Sequence, residues 1–149
     1  MYRAALAAVL ATCLLAGSSW QRAVAQTLRP ATPNRAAATV PTAIVEQVIN
    51  HPDVEQFLHP DMPGRVPLVL SCHLVDPHLS LRKFGKSVRV VADAQRKKGV
   101  ACLRFTQFTL KHNVATVEVQ YSVEGMKGRF RFQRDGVLWR LLKAGVWET

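Results

Sequence analysis

Three arginines on two adjacent segments are the first residues whose spacing carries chemistry. Arg129-Phe130-Arg131-Phe132-Gln133-Arg134 alternates polar with apolar, and Val137-Leu138-Trp139-Arg140-Leu141-Leu142 follows a short polar break. That break, Asp135-Gly136, supplies the two positive-φ residues of a type I′ turn between two strands. A loop at Asp135-Gly136 pairs Arg134 with Val137, Phe132 with Trp139, Arg131 with Arg140 and Phe130 with Leu141. Phe130, Phe132, Trp139 and Leu141 then share an apolar face. On the other face Arg131 stands opposite Arg140, with Arg129 two residues away. Like charges directly opposite repel, so water, Glu118 on the neighbouring strand, or a bound anion must compensate. The chemistry implied is acceptance of an anionic ligand on a basic strip formed by Arg129, Arg131 and Arg140.

Other residue types suggest other chemistry. Tyr121 is the one polar side chain on the inward face of its strand, where a hydroxyl can bond a ligand in a cavity or sit at the rim of a core. Cys72 and Cys102 both fall on expected strands and form a possible disulfide in an exported chain. They lack the Cys-x-x-Cys spacing of a catalytic pair. His73, Asp76 and His78 gather at one strand end, yet a polar strand end beside Pro77 accounts for them equally. The repeated His51-Pro52-Asp53 and His59-Pro60-Asp61 place each His at a helix boundary, and Pro followed by Asp is first-turn helix chemistry. Capping is the simpler reading, and no set of three or four metal ligands stands out. No motif implies a cofactor.

The elements that must position these groups follow from periodicity. Thr42 begins a helix with Ile44, Val45, Val48 and Ile49 in one stripe, capped by the Thr42 hydroxyl. Asn50-His51 ends it before a second short helix, Pro52 to Leu58, giving a kinked pair. Val66 to Val75 reads as a strand with alternate residues inward, Leu79 to Phe84 as a helical turn, and Ser87 to Ala92 as another strand. Arg96-Lys97-Lys98 is a solvated loop tip. From Cys102 to Trp147 the pattern is a four-strand antiparallel meander. A parity switch near Thr106-Gln107 predicts a β-bulge that curls the sheet. His112-Asn113 fits a two-residue turn pairing Leu110 with Ala115 and Phe108 with Val117. Ala115, Val117, Val119, Tyr121 and Val123 alternate with Thr116, Glu118, Gln120 and Ser122. Glu124 to Gly128 reads as a longer loop, and Gly145 as a second irregularity. The expected fold class is α+β, a kinked N-terminal helix packed on a curved antiparallel sheet of about five to six strands.

The chain opens with Arg3 before an apolar run, Ala4 to Ala16, and a small-x-small ending at Ala23-Val24-Ala25. This is the layout of a signal peptide over residues 1–25, and it implies export to a periplasmic or extracellular location. Residues 26–41, rich in Ala, Thr and Pro, read as a flexible leader to a single domain over 42–149. Cleavage removes Arg3 and Arg22 and no acid, which takes the net charge from +10 to +8. A basic exported chain attracts anionic lipid, glycan or nucleic acid. No specific nucleic-acid motif is present.

The order helix, strand, strand, meander resembles the cystatin-like and nuclear-transport-factor-like rolls. Its ending, Val123-Glu124-Gly125, Gly128, Phe132, Gly136 and Trp139-Arg140-Leu141, resembles the final hairpin of such domains. The resemblance covers the sheet and implies a curved sheet wrapped about a helix. Ketosteroid-isomerase-like members are expected to place a carboxylate and a Tyr inside the cone, whereas the inward face here offers Tyr121 alone. Cystatin-type inhibition requires a Gln-x-Val-x-Gly tip, which the chain lacks. The expected function is a noncatalytic exported binding or accessory module for an anionic or small apolar ligand. The alternative is an isomerase- or hydratase-like enzyme built around Tyr121, with His73 or Asp76 at the cavity mouth.

Overall fold

The computed structural model describes residues 39–71, 73–95 and 99–149. The signal peptide expected over residues 1–25, most of the expected leader, the basic tip at 96–98, and Cys72 with the disulfide to Cys102 considered above lie outside the described residues.

Two short helices come first. Helix α1 (Thr42–Ile49) presents Ile44, Val45, Val48 and Ile49, all 0 % exposed, on one side. Its N-cap is Pro41, and no side chain caps it, so Thr42 stands one position too far along for the capping expected of it. Helix α2 (Pro52–Leu58) is capped at its start by His51, whose ring accepts the Asp53 N–H at 3.3 Å. The same ring meets Phe130 edge-on at 5.4 Å between centroids. His59 closes the helix in the left-handed region. Both His-Pro-Asp segments thus sit at helix boundaries, as their composition suggests.

The strands are β1 (Val69–Ser71), β2 (Arg82–Lys83), β3 (Lys86–Ser87), β4 (Arg89–Val91), β5 (Leu103–Lys111), β6 (Val114–Tyr121), β7 (Met126–Asp135) and β8 (Leu138–Glu148). Six of them form one sheet in the order β4-β1-β5-β6-β7-β8. The β5 to β8 meander is antiparallel, as expected, but β1 runs parallel to both β4 and β5. The long alternating strand expected over Val66 to Val75 shrinks to Val69–Ser71, whose three residues are all buried. A strand flanked on both sides and covered on both faces has no wet side, so a period of two cannot reveal it. The helical turn expected at Leu79 to Phe84 is instead part of a small hairpin, β2 and β3, turned by Phe84 and Gly85, both at positive φ.

The core lies between the helices and one face of the sheet. It includes Leu70, Leu103, Phe105, Ala115, Val117, Tyr121, Met126, Phe130 and Phe132, all at or below 1 % exposure. Lys83 of β2, 7 % exposed on its side chain, ties the small hairpin to the helices. Its ammonium donates to Asn50 Oδ1 at 2.9 Å and lies 3.0 Å from Glu55 Oε2. Gln47 of α1 donates to the Trp139 carbonyl at 2.8 Å. A helix side chain thereby meets the outer edge of β8, a position where an unpaired strand invites association.

Candidate functional site: a basic groove on the open face of the meander

The second face of the meander is defined by register. Strand β5 pairs with β6 through Lys111↔Val114, Thr109↔Thr116 and Gln107↔Glu118, with a shift at Thr106. The bulge and the His112-Asn113 turn both stand where the sequence puts them, and His112 takes φ 54°. Strand β7 continues each row through Val114↔Gln133, Thr116↔Arg131 and Glu118↔Arg129.

The last hairpin departs from the expected register. Asp135 pairs with Leu138, so the two-residue loop is Gly136-Val137 rather than Asp135-Gly136. Phe132 therefore faces Leu141, Arg134 faces Trp139, and Arg140 faces Gln133 rather than Arg131. A register slip of two residues leaves every side chain on its own face, which is why alternation alone cannot choose between the two turns. A second bulge at Leu142 then rephases the strand, so that Arg131 faces Lys143, Phe130 faces Ala144, and Arg129 faces Gly145. Without the bulge, Leu142 would take a regular place in the ladder and the inward positions would fall to Lys143, Gly145 and Trp147. With it they fall to Ala144 and Val146, which pack on the core. Burying an unpaired ammonium costs far more than a bulge, so the irregularity belongs at Leu142 rather than at Gly145. The doublet Leu141-Leu142 ahead of Lys143 is the sequence signal for it.

Four rows of side chains result on the open face. They read Lys111-Val114-Gln133-Arg140, then Thr109-Thr116-Arg131-Lys143, then Gln107-Glu118-Arg129-Gly145, then Arg104-Gln120-Lys127-Trp147. Seven cations share these rows with one carboxylate, Glu118. A depression of about 810 Å³ lies within the face. Its lining includes Thr109, Lys111, Thr116, Arg131, Lys143 and Trp147. Arg129 gives part of its charge to Glu118, with Nε–H donating to Oε1 at 2.9 Å and Nη2 at 2.7 Å from the same oxygen. Arg104 lies 3.8 Å from Asp93. Among the described residues, Arg131, Lys143 and Lys111 have no carboxylate within ion-pair distance. Sequence reasoning selected Arg129, Arg131 and Arg140 on this face. It missed Lys111, which the His112-Asn113 turn sets opposite Val114, and Lys143, which only the bulge at Leu142 brings into line with them.

Tyr121 lies on the opposite, helix-facing side and is 0 % exposed. Its hydroxyl accepts Nη1–H of Arg65 at 3.0 Å, and Arg65 forms a close ion pair with Glu124 through Nη2. His59 Nε2 lies 3.9 Å from the other Glu124 oxygen. Burial pushes the Tyr121 hydroxyl above its ordinary value, Arg65 draws it part of the way back, and the Glu124 charge adds to the rise. The Arg65 guanidinium is held above its own ordinary value: burial works against it, but Tyr121 and Glu124 outweigh burial. Arg65, distant in sequence, was not picked out by pattern. Ser71, buried at 1 %, donates to Asp93, and Asp76 accepts the His78 N–H at 2.8 Å, a local turn. Cys102 is buried, with its sulfur 3.8 Å from the Leu103 carbonyl oxygen.

No protein-family model matches this chain, and neither a curated protein nor a solved structure does.

Proposed function

We propose that the protein is an exported, noncatalytic binding module that holds an anionic ligand on the open face of its meander. One observation carries the reading: the row Thr116-Arg131-Lys143 sets two cations side by side with no carboxylate between them. Adjacent strands stand ~4.8 Å apart, and like charges so placed repel unless an anion joins them. The fold tolerates this at an open surface because water screens the pair. The bulge at Leu142 turns Lys143 and Trp147 to this face, beside Arg131 and Lys127. Tyr121 belongs to the core: its hydroxyl is already occupied by Arg65, and the Asp76 carboxylate is engaged in its own turn. Those engagements favour a binding module over an isomerase- or hydratase-like enzyme built around Tyr121.

The test is titration with inorganic polyphosphate at low salt. The double variant Arg131→Ser/Lys143→Ser is compared with Lys86→Ser/Arg89→Ser, which removes the same charge from exposed positions elsewhere. Loss of binding confined to the first variant is expected. Equal weakening by both would reduce the effect to net charge and overturn the site.

A further inference from the structure

The groove has a chemistry finer than its charge. We infer that its ligand is an acidic polysaccharide strand, a chain of sugars that each carry at most one carboxylate; this rests on the anion-binding reading above. Length is the first argument. The rows run from Val114 to Gln120 along β6, about six residues at ~3.4 Å each, or ~20 Å. That span suits an oligomer rather than a single small anion. Depth is the second. Thr116 and Glu118, on the floor, are only partly exposed, and the volume of about 810 Å³ lies in a depression that a flat lipid surface would not enter.

The floor and ends decide between polymers. Gln107, Thr109 and Thr116 are neutral donors and acceptors, suited to hydroxyl groups set between charges. Trp147, 44 % exposed, stands at one end of the groove beside Gly145. A side chain at Gly145 would come within 3.9 Å of the Trp147 ring, so its absence leaves the flank of the ring open to a planar or chair-shaped partner. Proteins that hold single-stranded nucleic acid stack successive bases on several aromatic side chains, whereas this groove offers one tryptophan. Glu118 supplies the discrimination. It places a negative charge amid the cations, 2.7 Å from Arg129, and so disfavours a polymer with a charge at every step. A chain with hydroxyls between its carboxylates sets the carboxylates at Arg131 and Lys143 and a hydroxyl at Glu118. Arg131, with no carboxylate beside it among the described residues, is free for the two-pronged pairing that carboxylates favour.

Calorimetric titration of the protein tests this with oligogalacturonate, its methyl-esterified counterpart, inorganic polyphosphate and a thymidine 12-mer, all at one ionic strength. Oligogalacturonate is expected to bind tightest and the esterified form at least ~10-fold more weakly, because an ester cannot accept the charge-assisted hydrogen bonds that a carboxylate does. Trp147→Ala is expected to weaken oligogalacturonate about fivefold and to leave polyphosphate within about twofold, since only a ring can stack. Glu118→Gln is expected to strengthen polyphosphate more than oligogalacturonate. If the thymidine 12-mer binds tighter than oligogalacturonate and loses affinity in Trp147→Ala, the ligand is a nucleic-acid strand and the inference fails. If polyphosphate matches oligogalacturonate and Trp147 is indifferent, the groove reads charge alone: the polysaccharide is overturned while the anion site stands. If no anion binds, both fall.

Discussion

Replacing Tyr121 by Phe removes one oxygen from a side chain that is 0 % exposed. That oxygen accepts Nη1–H of Arg65 at 3.0 Å, and the Arg65 side chain is only 10 % exposed, so water reaches the vacated position poorly. A hydrogen bond to a charged group contributes about 1.5–3 kcal/mol. Glu124 keeps the other end of the guanidinium paired, so the charge is not orphaned. The expected cost is therefore about 2 kcal/mol, short of the roughly 3–5 kcal/mol of breaking a buried ion pair. The pH dependence has a definite sign. Burial holds the folded-state Tyr121 hydroxyl above its unfolded value of ~10. A raised value means that this contribution is fully present below ~pH 10 and is lost as pH climbs through the folded value. The Phe variant lacks this titration, so the stability gap between the two proteins narrows as pH rises above ~10. Urea unfolding of both proteins at neutral pH and at several alkaline values reads both effects. Equal stability at neutral pH, or a gap that widens in alkali, would refute the assignment of Tyr121 and Arg65 as a structural pair.

Further expectations concern packing and register. Gly128 has a Cβ position 3.0 Å from both Phe130 Cε2 and Val119 Cγ2, so Gly128→Ala overpacks the core and should cost about 1–3 kcal/mol by denaturant midpoint. Gly145→Ala meets nothing nearer than 3.9 Å and should stay within about 0.5 kcal/mol of the parent, which makes it the matched control. Deleting Leu142 removes the extra residue and leaves Leu141 opposite Phe132 and Lys143 opposite Arg131 in a regular ladder, so near-ultraviolet circular dichroism and the denaturant midpoint should stay close to parental; loss of fixed packing would disprove the rephasing. Asn50→Ala deprives the Lys83 ammonium of its 2.9 Å acceptor and should destabilise by about 1–3 kcal/mol in the same denaturant titration, with Glu55 retaining the charge.

Local rules acted where the chain decides its own shape. The helix bounds at Ile49, Pro52 and Leu58, the His112-Asn113 turn and the Thr106 bulge are legible because capping chemistry, positive φ and side-chain period act over a few residues. The alternation of β6 separates core from groove for the same reason, and it made Arg129, Arg131 and Arg140 visible as surface candidates. Tertiary structure decided what those rules leave degenerate. Two turns at Asp135-Gly136 and Gly136-Val137 satisfy the same alternation, so only packing of the whole strand set Arg131 against Lys143. The parallel pairing of β1 with β4 and β5 is not legible, because side-chain period marks a strand but not its neighbours or their direction. The meeting of Arg65, Tyr121 and Glu124 spans 59 residues of sequence from Arg65 to Glu124, and no spacing announces it. The basic strip was written into residue types, and the His112-Asn113 turn adds Lys111 to it; the groove, with Lys143 and Trp147 aligned beside it, exists because the bulge at Leu142 turned those side chains to the same face.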